Sequence, residues 1–335
     1  MLSSAITSKK QSRWQMNFRE RLSRSRALAK RIFFIATALL IYAFVSSAPA
    51  RAAHEETGQS FDGPGGKLYY EVTGSGSGTP LIIVNGGPGF DHTYLHISTA
   101  WDTLGKNRRI IFYDQRGDGR SAQLKPGQSC NLADQIADLE ALRAHLGFEK
   151  WDMLGHSWGG YLSMAYSARH PEHIAHLMIV DSAAPKWSDT LFLFSQIFPE
   201  LTERRAGYVF ADEMGDKAAS DAGIRDYLTM LFYSAEKRDA FVAQMSAGAF
   251  HKDASQAVMS DLPRFDLNPE IAKFKFPVIV MTGRYDINVA PLVAYKIHQA
   301  IPGSRFVVFE RSGHIPFYEE PDAFVRAADE FLNAK

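Results

Sequence analysis

Ser157 stands in the run Gly155-His156-Ser157-Trp158-Gly159-Gly160. The short apolar stretch Trp151–Leu154 leads into it, and a helical pattern follows. A serine hydroxyl is a weak nucleophile near neutrality and needs a base that is itself oriented by an acid. Downstream, Asp286 follows the run Pro277–Thr282, and His314 follows Ser304–Phe309. The order Ser, Asp, His, with each residue just past the C-terminal end of an expected strand, is the order that places three such groups together on an open α/β sheet. The chemistry implied is acyl transfer. His314 takes the Ser157 proton and returns it to the leaving group, and Asp286 orients and stabilises the imidazolium. Asp181, after His176–Val180, is the rival acid and ranks below Asp286 because it starts a long connection.

A tetrahedral intermediate needs two N–H donors for its oxygen. Trp158 N–H, at the start of the helix after the serine, is one. Gly87 is the choice for the other, because Asn85-Gly86-Gly87-Pro88-Gly89 follows the run Leu81–Val84 and sets an unusual backbone path. Asp114-Gln115-Arg116-Gly117-Asp118-Gly119-Arg120-Ser121 follows Arg109–Tyr113 and reads as a loop-pinning segment. His92 and His96 stand at i and i+4, a metal-ligand spacing, but no other ligand pattern supports them, so neither metal nor cofactor is expected. His170, His173 and His176 bracket a helix end and a strand start. Cys130 is the only cysteine, which excludes an intrachain disulfide, and it reads as a spare thiol.

The elements that must position these groups are legible as periodicity. Lys67–Val72 alternates, and Leu81–Val84, Arg109–Tyr113, Trp151–Leu154, His176–Val180, Pro277–Thr282 and Ser304–Phe309 are continuous apolar runs of strand length, suited to strands buried on both faces. Helical spacing marks Leu132–Leu146, Tyr161–Ala168, Leu292–Ala300 and Ala323–Leu332. Alternating strand and helix implies a mostly parallel sheet with helices on both faces. The interval from Asp181 to Pro277 carries no convincing strand and many aromatic residues, so residues 185–270 are read as an inserted helical cap. The core is then residues 53–184 and 271–335.

The 335 residues carry no formal net charge, yet residues 1–52 hold ten Lys/Arg and one acid, which leaves 27 basic and 36 acidic residues in the remainder. An acidic body argues against nucleic acid as a partner. The basic stretch, the 14-residue apolar run Ile32–Val45 and the pattern Ala50-x-Ala52 read as a signal peptide, with Ala53 as the new terminus. An uncleaved signal anchor is the alternative, and only then is a membrane a partner. Met16 is a second possible start. The expected location is periplasmic or secreted.

Taken together, Gly86-Gly87-Pro88-Gly89, Asp114-Gln115-Arg116-Gly117-x-Gly119-Arg120-Ser121, Gly155-His156-Ser157-Trp158-Gly159-Gly160, Asp286 and His314 resemble the proline iminopeptidase (prolyl aminopeptidase) family of α/β-hydrolases. The resemblance spans roughly residues 60–335. It implies the α/β-hydrolase fold with a cap, and removal of an N-terminal residue, often proline, from a short peptide. The family usually has His where Asn85 stands, and its peptidases hold the substrate amine with cap glutamates. Here Phe241–His251 carries no acid. Glu200, Glu203, Asp212 and Glu213 are the available cap acids, and Glu200 and Glu203 are the candidate amine-binding residues. The alternatives are an esterase or lactonase acting on small apolar substrates with the same triad, and a catalytically inactive binding protein on this fold.

Overall fold

The computed structural model describes residues 58–213, 216–245 and 251–334. The segment read as a signal, residues 1–52, lies outside them. Among the described residues, no helix is long and apolar enough to cross a membrane.

Eight strands form one sheet: β1 (Gln59–Gly63), β2 (Gly66–Thr73), β3 (Gly78–Val84), β4 (Arg108–Tyr113), β5 (Trp151–His156), β6 (Ile174–Val180), β7 (Val278–Gly283) and β8 (Arg305–Phe309). Their spatial order is β1-β2-β4-β3-β5-β6-β7-β8. The β1–β2 and β2–β4 pairs are antiparallel, and every pair from β4 to β8 is parallel. The longer helices in chain order are α1 (Ala100–Leu104), α2 (Leu132–His145), α3 (Trp158–Arg169), α4 (Pro199–Glu213), α5 (Lys217–Thr229), α6 (Ala235–Val242), α7 (Lys252–Asp261), α8 (Pro291–Ala300) and α9 (Pro321–Leu332). The interval between β6 and β7 contains α4 to α7 and several single turns, with no strand among its described residues. The fold class expected from sequence therefore holds.

The continuous apolar runs are explained by burial on both faces. Along β3, Ile82 and Val84 join one cluster with Leu139 and Leu142 of α2 and Leu162 and Tyr166 of α3. Leu81 and Ile83 join the opposite cluster with Trp101 of α1 and Phe324 and Phe331 of α9. Val278 and Val280 against Ile279 and Met281 repeat the split along β7. A side-chain period of two on a doubly covered sheet requires apolar residues at every position.

The loop after β4 is held by charge. Arg116 meets Asp138 of α2 through Nε and Nη2, both at 2.7 Å, with both side chains buried. The bidentate geometry satisfies the guanidinium fork and both carboxylate oxygens, which is what a buried pair needs to offset desolvation. This is the pinning role read for that segment. Cys130 is buried beside it, accepts from Gln135 Nε2, and has its thiol pushed up by burial to about 12. Such a thiol stays protonated and unreactive.

Candidate active site

Strand β5 ends at His156, and α3 begins at Trp158, so the whole turn between them is Ser157. Ser157 sits at φ 57°, ψ −121°, a conformation that L residues rarely adopt. Its N–H donates to Val180 O at 2.9 Å, and its carbonyl accepts from Gly160 N at 3.0 Å. The glycines of the motif are steric necessities. A Cβ on Gly159 would lie 2.1 Å from Val84 O, and one on Gly155 would lie 2.3 Å from Gly159 O. Helix α3 can therefore approach β3 backbone to backbone, and no side chain fits between them.

The loop after β3 lies against this turn. A Cβ on Gly86 would stand 3.1 Å from Ser157 Cβ and 3.2 Å from His156 Nδ1. Gly87 follows at φ 132°, a region that favours glycine. Gln115 ties the loop to the helix: Nε2 donates to Asn85 O at 3.0 Å and to Asn85 Oδ1 at 3.1 Å, and Trp158 Nε1 donates to Gln115 Oε1 at 2.7 Å. Asn85 Nδ2 in turn donates to Phe90 O.

Asp286 and His314 come together from the loops after β7 and β8, with His314 Nδ1 2.7 Å from Asp286 Oδ2 and both residues buried. Asp286 Oδ1 accepts from Asn288 N at 2.8 Å and Val289 N at 3.0 Å; these bonds favour the carboxylate, while burial, the larger effect, pushes it up to about 8. The imidazole proton therefore rests on Nδ1, and Nε2 presents a lone pair. Nε2 accepts from Asn288 Nδ2 at 2.8 Å. Nε2 thus faces the Asn288 amide rather than the Ser157 hydroxyl.

Three residues missed in the sequence reading complete the arrangement. Gly86 N donates to Tyr94 Oη at 2.7 Å. Tyr94 Oη stands 2.7 Å from His156 Nδ1, and His156 Nε2 stands 2.8 Å from His314 O. Burial holds His156 well below the usual histidine range, hence neutral, so Tyr94 donates to Nδ1 and Nε2–H donates to the carbonyl of His314. This chain links the glycine loop, the serine turn and the histidine loop. His156 is the variable position of the motif, and only its full burial marks it. The third residue is Asn288, two positions past Asp286.

The rival acid lies behind the pair. Asp181 is buried at φ 45°, and its Oδ1 accepts from Thr282 Oγ1 and Gly283 N, each at 2.9 Å. Asp181, Asp286 and His314 bring their polar atoms within 4.8 Å of one another. Burial and the Asp286 charge push the Asp181 carboxyl well up, which makes it the protonated member of the pair. The cap candidates Glu200 and Glu203 are exposed on the first turns of α4. Asp226 of α5 is taken by Arg204 in a two-pronged pair at 2.7 Å. Arg205 is half-buried and lies 5.0 Å from the centre of the Tyr227 ring.

Residues 79–321 match the family described as alpha/beta hydrolase fold. An α/β-fold hydrolase from Bacillus anthracis superposes with a TM-score of 0.68 at 22% identity, covering 83% of this chain and 98% of that one. A thermophilic esterase from Thermogutta terrifontis superposes at 0.63 with 24% identity, covering 82% and 97%. Fold and turn geometry together define an α/β-hydrolase. A proline iminopeptidase of Lactobacillus helveticus is 30% identical over 290 residues, covering 80% of this chain and 95% of that one. One from Clostridium botulinum is 29% identical over 291 residues, covering 80% and 94%. The chain belongs to this proline iminopeptidase family of α/β-hydrolases.

Two outcomes test the geometry. Tyr94→Phe removes the acceptor of Gly86 N and the donor to His156 Nδ1, both buried. It is expected to cost about 1–3 kcal/mol in a urea titration and to lower kcat more than it raises KM; unchanged stability and kcat would show that the link carries nothing. Burial lowers His314 from 6.5 to about 4. If the neutral ring serves as base, activity should be flat across the ordinary histidine range and fall only as pH drops through the depressed value. A kcat/KM profile with its acid limb near 6.5 would contradict this.

Proposed function

We propose that this hydrolase removes N-terminal residues, such as proline, from short peptides through an acyl-enzyme on Ser157. The observation that carries the chemistry is the buried 2.7 Å contact of His314 Nδ1 with Asp286, beside a serine on a strained strand-to-helix turn. His314 Nε2 exchanges Asn288 for the Ser157 hydroxyl and takes its proton as Oγ attacks the carbonyl. The N–H groups of Gly87 and Trp158 receive the developing oxyanion. Collapse expels the amine, which takes the proton from His314. Water, deprotonated by the same ring, then attacks the ester, and Ser157 leaves with the proton. Residues 185–270 act as the cap over this site. The peptidase assignment is supported by the relatives named proline iminopeptidase.

One observation favours an esterase or lactonase instead. Glu200 and Glu203 are exposed, Asp226 is paired with Arg204, and the half-buried charges of the described cap residues include the cation Arg205. A free α-amine gains nothing from a neighbouring guanidinium. Ser157→Ala should reduce turnover by more than about 10⁴-fold with an unchanged melting temperature, and retained turnover would remove Ser157 from the chemistry. Proline β-naphthylamide against p-nitrophenyl acetate separates the two readings, since a peptidase prefers the substrate with a free α-amine. Equal cleavage of the N-acetylated naphthylamide would overturn the aminopeptidase reading.

Residues 1–52 are proposed to export the chain, on the strength of their basic, apolar and small-residue segments in succession. Protein recovered outside the cytoplasm should begin at Ala53 on N-terminal sequencing. A mature chain that retains Ile32–Val45 would instead mark an anchor.

A further inference from the structure

Outside the site, the sheet brings a third ligand to the two histidines spaced at i and i+4. Glu71 lies on β2, and His92 and His96 lie on the short 3-10 helix His92–Ile97 that follows the glycine loop. His92 Nε2 is 3.3 Å from Glu71 Oε1, and His96 Nε2 is 3.0 Å from Glu71 Oε2. The ligand atoms of all three lie within 4.8 Å of one another.

The decisive atom is His92 Nε2. The side chain is 1% exposed, and Nε2 makes no hydrogen bond. On the other edge of the ring, Nδ1 is 2.6 Å from Asp114 Oδ1. Asp114 also accepts from His92 N at 3.1 Å and Arg120 N at 2.8 Å, so it is an acceptor throughout, and the imidazole proton belongs on Nδ1. Nε2 then faces a carboxylate oxygen at 3.3 Å without a hydrogen bond, a buried gap that suits a cation, either a proton or a metal ion.

We propose that Glu71, His92 and His96 form a binding site for a divalent transition-metal ion of the zinc class. Zinc bonds to imidazole nitrogen and carboxylate oxygen are about 2.0–2.1 Å, so neighbouring ligand atoms of a tetrahedron lie about 3.3 Å apart. The two short separations above match that edge. Asp114 behind His92 Nδ1 supplies the outer carboxylate that fixes the tautomer of a metal-bound histidine. Tyr69 Oη, donating to Glu71 Oε1 at 2.7 Å, holds the third ligand. His96, 37% exposed at its side chain, leaves one side open for entry and for a water as fourth ligand. The carboxylates of Glu71 and Asp114 stand against one guanidinium, that of Arg120, 3.4 Å from Glu71 Oε1. The rival occupant is a proton on Nε2, giving an imidazolium between Asp114 and Glu71.

The test uses the full chain, stripped with chelator and then dialysed against Zn²⁺. Metal analysis should give one retained equivalent, Zn²⁺ should raise the melting temperature, and Co²⁺ should give the visible absorption of a tetrahedral site. His96→Ala and Glu71→Gln should each weaken Zn²⁺ binding by at least tenfold. His173→Ala, in the separate group of Glu140, His170 and His173, should leave it unchanged. No retained zinc in the wild-type chain would assign the position to the proton and overturn the proposal. So would binding that survives both His96→Ala and Glu71→Gln, or that is lost in His173→Ala. Glu71→Gln keeps the shape of the side chain and Tyr69 as its donor, so it reads the site even where His96→Ala disturbs the loop.

Discussion

One backbone conformation organises the site: the left-handed turn of Ser157. A non-glycine residue held there costs on the order of 1–3 kcal/mol and persists only where its surroundings over-determine it. Here they do. Its N–H is bonded to β6, its carbonyl receives the first amides of α3 and Ala183 N, and α3 is drawn against β3 through Gly159. The strain has a geometric return. The side chain is lifted off the end of the sheet, and the helix starts at the next residue, so unpaired N–H groups and the positive end of the helix dipole stand beside it. Relaxing the turn to an ordinary φ would break those backbone bonds together, which is why the conformation holds.

The turn alone does not place the other groups. His156 does much of that work, because its two ring nitrogens face opposite loops. A neutral imidazole has one donor and one acceptor, and here each has a single buried partner. Gln115 acts the same way on the other flank, its amide bridging Asn85 and Trp158. Buried polar groups of this kind are costly when unpaired and directional when paired. The glycine loop, the serine turn and the histidine loop are thus held to one another by side chains, so the distances between them do not depend on loop stiffness.

Much of this was legible in the sequence because the physics is local. Parallel strands covered on both faces are largely apolar along their length, so β3 and β7 announce themselves. The short turn Gly155–Gly159 carried its own steric signature. β1 was missed because Gln59–Gly63 is an edge strand, exposed at most positions, with no burial to impose a pattern. Tyr94 and Asn288 were missed because their roles depend on where a hydroxyl or amide lands after folding. Glu71 was missed for the same reason. It reaches His92 because β2 runs antiparallel beside β4, pairing Glu71 with Phe112 and so setting it near Asp114. No spacing along the chain encodes that register.

The acid was readable only as a choice between two residues, and the fold keeps both. Asp181 and Asp286 lie with His314 in a space too small and too dry for two negative charges. Their inequality follows from what each accepts. Asp286 receives two backbone amides and the imidazole N–H, whereas Asp181 receives one hydroxyl and one amide, and a hydrogen bond between the two carboxyls favours the charged form of Asp286. The proton therefore belongs on Asp181. Had both carboxyls been ionised, their combined field would hold His314 as the imidazolium at neutral pH, with no lone pair to receive a proton from Ser157. Burial of the ring is the larger effect and holds His314 below the usual histidine range. In the proposed reaction, the single carboxylate is then available to stabilise the cation formed on His314.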